Sequence, residues 1–396
     1  MLRLDLVPWH VVNFFSGRDP GSGNFITVHT RDGRIAGVER CAAAEPFDSE
    51  MWLCPGLVDL QVNGYRGNDL NADNLRIDTV RWLAEDLLAT GVTTFVPTLI
   101  TAPEQKLLRN LEIVAEARRA HPLLRHMIPF VHIEGPHIDP ADGPRGAHPV
   151  EHVRPPDISE FLRWQEASGG LVGMVTLSPH YSEAAAYIRA LCERGVGVSI
   201  GHTNATGDQI RSAVDAGARL STHLGNGIAQ LLPRHPNPIW SQLAEDRLTA
   251  TFIADGHHLP GDTLTAMLRA KTPSRSILIS DLVAHAGLPA GRYSAPLGAS
   301  VDLDAGGRLR VAGTEYLAGA TSPLKSCVAR VASCAGFSLG EAIRMATINP
   351  GRFADRGVVA AGKLVDLIRF RWAHGAATLQ IEEVIVQGNI LPRENY

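Results

Sequence analysis

The sequence has no apolar run near the roughly 20 residues that a membrane-spanning helix needs, and no cluster of lysine and arginine. With 37 basic against 41 acidic residues and a formal net charge of −4, the electrostatic footprint of a nucleic-acid-binding protein is missing, as is a polybasic membrane anchor. Neither nucleic acid nor membrane is an expected partner. Cysteine is scarce. Cys41, Cys54, Cys192, Cys327 and Cys334 are odd in number and scattered without Cys-x-x-Cys spacing, so neither a disulfide framework nor a cysteine zinc site is expected, and the predicted location is the reducing cytoplasm. Residues Met1 to Gly17 include acidic Asp5 and lack the charged, apolar, small-residue order of an export signal. Internal repeats and low-complexity segments are also missing.

What is present is ordinary globular material: 45% hydrophobic and 20% charged among 396 residues, enough for one large domain and a small one. Phe25 to Glu39 reads as strand, Arg31-Asp32-Gly33-Arg34 turn, strand. Near the other end, Val365 to Phe370 and Ile381 to Val386 read as strands, followed by a Gly388-Asn389 turn and Ile390-Leu391. Neither end has enough strands to bury a sheet face alone. Segments 1–53 and 355–396 are therefore expected to combine into one small β-sandwich domain.

Between them, eight short apolar runs alternate with helix-period segments. The runs are Gly56 to Val62, Val92 to Leu99, Met127 to Ile133, Leu171 to Leu177, Val196 to Ile200, Ala218 to Thr222, Leu248 to Ile253 and Ser276 to Ile279. Eight buried strands alternating with helices predict an α/β fold, a (β/α)8 TIM-like barrel over 54–354 with right-handed crossovers. Asp139 to Pro156, rich in Pro and Gly and containing His148 and His152, leaves the end of the third strand and is expected to be a lid. Gly291 to Gly313 is expected to be a hairpin excursion. Helices are predicted over Pro323 to Ala335 and Leu339 to Ala346.

The apolar runs end in chemistry. Val131-His132-Ile133-Glu134-Gly135-Pro136-His137 closes the third, and later runs stop at His202, His223, His258 and Asp281. Divalent ions such as zinc take imidazole and carboxylate ligands and, in a catalytic site, leave a position open for water. Glu134, His202 and His223 would supply such a set, each from a different strand end on one barrel rim. Any one of these histidines alone reads as a core or capping residue; the three together read as a site. Asp281, just past its strand, would cap the next helix or, near a metal, take a proton from water and return it to a leaving amine. His258 in Ala254-Asp255-Gly256-His257-His258 is a candidate donor to a developing oxyanion, a role that Asp255 or His257 could fill instead.

These motifs carry a resemblance. Pro55-Gly56-Leu57-Val58-Asp59, His132 to Pro136, Gly201-His202-Thr203-Asn204-Ala205-Thr206, Thr222-His223-Leu224 with Asn226, Ile253 to Gly256 leading to His258, Ser280-Asp281, and Gly362-Lys363 with Asp366-Leu367 together resemble the amidohydrolase superfamily, and within it the N-acetylglucosamine-6-phosphate deacetylase family, nearly end to end. Most of that superfamily opens with His-x-His on the first strand, whereas this chain has Gln61-Val62-Asn63. Amides are poor zinc ligands, so the resemblance implies one divalent ion, zinc or else iron, manganese or cobalt, held by Glu134, His202 and His223. It further implies Asp281 as base, His258 near the substrate carbonyl, His148 from the lid on the sugar, and Asn226, Gly227 and Arg234 on the phosphate, Arg234 reaching across a homodimer. Backbone N–H groups with an arginine suit phosphate.

The chain departs from the family at Gly225-Asn226-Gly227-Ile228, where Tyr-Asn-Ala-Met is usual, in the Pro-rich Leu232 to Trp240 with His235, and in Leu-Val-Ala-His285-Ala-Gly after Asp281. These changes touch the pocket wall rather than the metal chemistry. The resemblance implies hydrolysis of N-acetylglucosamine 6-phosphate to glucosamine 6-phosphate and acetate in amino-sugar catabolism or recycling. The alternatives are an unphosphorylated N-acetyl sugar, N-acetylgalactosamine 6-phosphate, an N-acylamino acid or a cyclic amide, and, from another class, a metal-free binding protein.

Overall fold

A computed structural model describes residues 14–41, 48–294, 300–334 and 336–391. Its central element is an eight-stranded parallel sheet of Leu57–Val62, Val92–Ile100, Val131–Glu134, Val172–Leu177, Gly197–Ile200, Leu220–Ser221, Thr249–Ile253 and Ser276–Ile279, neighbours in chain order. The sheet curls until its edges meet. Val62 bridges Leu282 in parallel, Asn63 N–H donates to the Leu282 carbonyl at 2.8 Å, and Asp281 N–H donates to the Gln61 carbonyl at 3.1 Å. Inside, Val58, Leu60, Val96, Met174, Ile253 and Ile277 pack into an apolar plug, so the barrel is filled, and chemistry is left to its rim.

Helices cover the outside because their apolar residues recur on one face. Ile77–Leu88 buries Val80, Leu83, Leu87 and Leu88. Capping boxes start Gly207–Ala216 at Thr206 with Gln209, and Leu339–Ala346 at Ser338 with Glu341, and each N-cap contributes about 1 kcal/mol.

The ends of the chain meet in one seven-stranded mixed sheet, ordered Asn389–Ile390, Gln380–Val386, Leu367–Arg371, Trp52–Pro55, Phe14–Arg18, Phe25–Arg31, Arg34–Cys41. Trp52–Pro55 pairs antiparallel with Leu367–Arg371, so neither terminal segment completes the sheet alone. His126 Nε2 lies 2.8 Å from the Asp366 carboxylate in a buried pair that ties this sheet to the barrel. Residues 1–13, 42–47, 295–299 and 392–396, parts of the terminal segments and of the excursion, lie outside the described residues, as does Ala335.

Three local expectations change. The third strand begins at Val131, not Met127, because Pro122 opens a helix that runs through Met127 and buries Leu124 and Met127. The sixth strand is only Leu220–Ser221. The excursion has a third strand, with Gly291–Ser294, Ser300–Leu303 and Leu309–Val311 pairing antiparallel. The Asp139 to Pro156 loop is irregular apart from a 3₁₀ turn at Val150–His152.

Candidate metal centre

Glu134 is the last residue of the third strand, and His202, His223 and Asp281 each stand two residues beyond the fifth, sixth and eighth. At those three matching positions the backbone turns left-handed, with φ of 50°, 29° and 50°. Such a conformation costs a non-glycine residue about 1–3 kcal/mol, and here it recurs where each strand delivers a polar side chain to the rim.

The side chains of Glu134, His202 and His223 are buried and converge. Glu134 Oε1 lies 3.0 Å from His202 Nε2 and 2.9 Å from His223 Nε2, and one ligand atom from each of the three falls within 4.8 Å of the others. Around His202, Nδ1 donates to the Pro144 carbonyl at 2.7 Å, which leaves Nε2 as the ring atom it can offer to a cation. His223 Nδ1 is buried without a hydrogen-bond partner. Two imidazole nitrogens and a carboxylate oxygen converge on one point, an arrangement favourable around a cation, so this donor set fits a divalent metal ion. Without a cation, burial pushes the Glu134 carboxyl up, but hydrogen bonds and charge from His202 and His223 outweigh it and hold the group well below the usual carboxylate range.

Asp281 stands on the closing edge of the barrel. Its Oδ1 accepts from Asn63 Nδ2 at 2.8 Å and from Gln61 Nε2 at 3.1 Å. Both first-strand amides are therefore spent on this carboxylate. Burial, reinforced by the charge of Glu134, pushes Asp281 up to about 7 despite the Asn63 hydrogen bond, which places it in the range of a general base.

Asp255, His257 and His258 are held differently. Asp255 accepts the backbone N–H of His257 and of His258 at 2.8 and 2.9 Å, and its other oxygen lies 2.7 Å from His258 Nδ1. Asp255 thus orients His258 and leaves Nε2 as its free ring atom. His257 turns away, with Nε2 3.1 Å from the Gly306 carbonyl.

The Asp139 to Pro156 loop wraps His202. His148 packs edge-on against the His202 ring at 4.4 Å between centroids and bonds Thr101 Oγ1 through Nδ1 at 2.8 Å. Burial, with the charge of His202, pulls His148 down to about 3. Gly227 closes the other side at φ 59°, where a Cβ would stand 2.9 Å from His202 Nδ1, so only glycine fits without moving the ring. Asn226 is used locally, its Nδ2 donating to the His223 carbonyl at 3.2 Å. Arg234 and His235 are exposed on the loop before the helix Pro238–Ala244. Arg234 makes no hydrogen bond or ion pair among the described residues, and none of those residues ties it to the metal cluster. Two other histidines take structural parts. His137 is sandwiched by Trp164 and Tyr187 with Nδ1 on the Arg154 carbonyl, and His285 bonds the Ser294 carbonyl through Nε2 at 3.1 Å.

Pro144 and Thr251, which orient the ligands, and Thr101, which holds His148, carry no signal in the sequence. Thr251 Oγ1 accepts the His223 N–H at 2.7 Å. A carbonyl or a threonine gains such a role only through its position in the fold.

The Amidohydrolase family profile matches residues 52–391. The chain is 31% identical to N-acetylgalactosamine-6-phosphate deacetylase of Escherichia coli O157:H7 over 91% of its own length and 93% of that protein's, and 30% identical to N-acetylglucosamine-6-phosphate deacetylase of Bacillus subtilis strain 168 over 86% and 87%. Among solved structures, an aspartate-to-alanine mutant of the Mycobacterium smegmatis N-acetyl-D-glucosamine-6-phosphate deacetylase, in complex with N-acetyl-D-glucosamine-6-phosphate, superposes with a TM-score of 0.81 at 30% identity, covering 92% of this chain and 94% of that one. No helix among the described residues is long and apolar enough to cross a membrane. The chain belongs to the amidohydrolase family and is a hydrolase like the N-acetylglucosamine-6-phosphate deacetylases.

Proposed function

We propose that this protein is a metal-dependent deacetylase of an amino-sugar 6-phosphate, N-acetylglucosamine 6-phosphate first, releasing acetate and the free amine in amino-sugar catabolism or recycling in the cytoplasm. The observation that carries the reading is the meeting of Glu134, His202 and His223 at one point beside a rim that also holds Asp281 by two amides. One divalent ion, zinc before iron, manganese or cobalt, would be held by those three side chains, and it would polarise the amide carbonyl and acidify water. Asp281, with its carboxyl poised near neutrality, takes the water proton and then passes it to the departing nitrogen. His258 carries a proton on Nε2 toward the carbonyl oxygen as negative charge grows there, and the Asp255 carboxylate steadies that imidazolium. Closed over the site, His148 and its loop exclude water and face the sugar. The phosphate is held by Asn226, the Gly227 N–H and Arg234, the last from the second chain of a homodimer, which agrees with its lack of a partner among the described residues of its own chain.

A second reading, N-acetylgalactosamine 6-phosphate, is favoured by the relative of that specificity at 31% identity over 91% of the chain. Acetate release from the two phosphorylated sugars and from N-acetylglucosamine distinguishes the readings. The first expects kcat/KM above about 10⁴ M⁻¹s⁻¹ on N-acetylglucosamine 6-phosphate. Preference for the galactosamine ester would install the second, and activity confined to the free sugar would remove the phosphate from the account.

A further inference from the structure

Beneath the three ligands runs a file of buried polar side chains that the chemistry above does not use. Ser199 Oγ lies 2.5 Å from Thr222 Oγ1, Thr222 Oγ1 lies 2.7 Å from Thr176 Oγ1, and Thr176 Oγ1 lies 2.7 Å from His132 Nε2. On the far side of the ring, His132 Nδ1 lies 3.4 Å from Thr98 Oγ1. All five residues are buried. The file therefore crosses the barrel from the second strand to the end of the sixth.

The direction of its protons follows from its end. Thr98 Oγ1 donates to the Val96 carbonyl at 3.3 Å and accepts the Val62 N–H at 3.3 Å, so toward His132 it can only accept. The His132 proton must then sit on Nδ1. Among the described residues no carboxylate is within hydrogen-bond distance of the ring, and an imidazolium without one is costly in a dry interior, so Nε2 is an acceptor and Thr176 donates to it. Each hydroxyl behind accepts from the next: Thr222 donates to Thr176 and Ser199 to Thr222. Every member is satisfied, and the chain reads in one direction only.

Its members also adjoin the ligands. His132 precedes Glu134 by two residues and so shares its face of the strand. Thr176 is the register partner of Glu134, and its carbonyl accepts the Gly135 N–H at 3.0 Å. Thr222 immediately precedes His223. Gly201, just before His202, is clamped between Thr176 and Thr222, where a Cβ would stand 2.8 Å from each. Shifting any one hydroxyl moves a strand end that carries a ligand.

We propose that His132 is a positioning residue of the metal centre, the terminus of a one-way hydrogen-bond chain from Ser199 through Thr222 and Thr176 that sets the spacing of Glu134, His202 and His223. The inference rests on the metal reading of that cluster.

The test is Zn2+ affinity of the full-length protein by competition with a chromophoric chelator, with thermal unfolding recorded beside it. Thr176→Val removes the donor to His132 at nearly constant volume, Ser199→Ala removes the head of the chain, and His132→Leu and His132→Gln compare loss with partial replacement. Thr176→Val and His132→Leu should weaken Zn2+ binding roughly 10–100-fold, as outer partners of metal ligands do. Ser199→Ala should weaken it less, and His132→Gln, which keeps one donor and one acceptor, should recover part of the loss. The metal-free proteins should unfold cooperatively as wild type does. Should His132→Leu not fold, Thr176→Val decides. Folded Thr176→Val with Zn2+ affinity within twofold of wild type would overturn the inference and leave the metal site standing. Absence of Zn2+ binding by wild type would instead overturn the metal reading and this inference with it.

Discussion

Asn63 Nδ2 donates to Asp281 Oδ1 at 2.8 Å, while Asp281 N–H donates to the Gln61 carbonyl, so the first and last barrel strands are joined at the group proposed as the base. A hydrogen bond to a charged group is worth about 1.5–3 kcal/mol. Asn63→Leu should therefore lower kcat roughly ten- to a hundredfold with little change in KM, since the bond holds the base rather than the substrate. Steady-state kinetics check this, and an effect on KM alone would place Asn63 on the substrate.

Glu134→Gln and His202→Asn should lose tightly bound metal and bring acetate release to background while remaining folded, because each removes one of only three ligand groups. Metal analysis of the purified variants measures it. Wild type treated with a chelator should behave the same way and recover on adding back Zn2+.

Arg234 is exposed and has no hydrogen-bond or ion-pair partner among the described residues. If it grips phosphate, Arg234→Ala should raise KM for the phosphorylated sugar roughly ten- to a hundredfold, in line with about 1.5–3 kcal/mol for a charge-assisted bond, and leave turnover of the free sugar unchanged. Equal effects on both sugars would take the phosphate away from Arg234.

Lys271 is fully buried, with Nζ donating to the Gln242 and Glu245 carbonyls at the end of the helix Pro238–Ala244. Burial, with the nearby charge of Arg275, pulls its ammonium down from 10.5 to about 8. Between those two values the unfolded chain binds more protons than the folded one, so stability contributed at this position rises with pH across that window. Denaturant unfolding of wild type minus Lys271→Met should show a difference that grows from pH 8 to pH 10. A flat or falling difference would contradict the burial account.

How much of this was legible in the residues alone differs by kind of feature. Eight apolar runs and the polar groups that end them were readable, because barrel strands are buried on both faces and announce themselves by composition. Strand limits were less so. Met127 is as apolar as the strand it was assigned to, and only Pro122, opening a helix one turn earlier, separates the two. Gln61 and Asn63 could be read as a lost metal position; that both donate to Asp281 depends on the barrel closing between strands 220 residues apart in sequence for Gln61. Similarly, Asp255, His257 and His258 are equivalent as residue types, and only the Asp255 to His258 bond at 2.7 Å ranks them. The excursion's third strand, Leu309–Val311, fell inside a segment expected to be a simple hairpin, its short apolar run too brief to stand out.

The most direct test of the account compares metal-loaded wild type with Asp281→Asn, measuring acetate release from N-acetylglucosamine 6-phosphate and metal content in both. A base of this kind contributes roughly 10²–10⁴-fold, so the variant should keep its metal, keep KM within a few-fold and lose activity by about that factor. Fully loaded wild type that releases no acetate from this sugar or its galactosamine counterpart would contradict the deacetylase function, and an Asp281→Asn protein as active as wild type would contradict the mechanism.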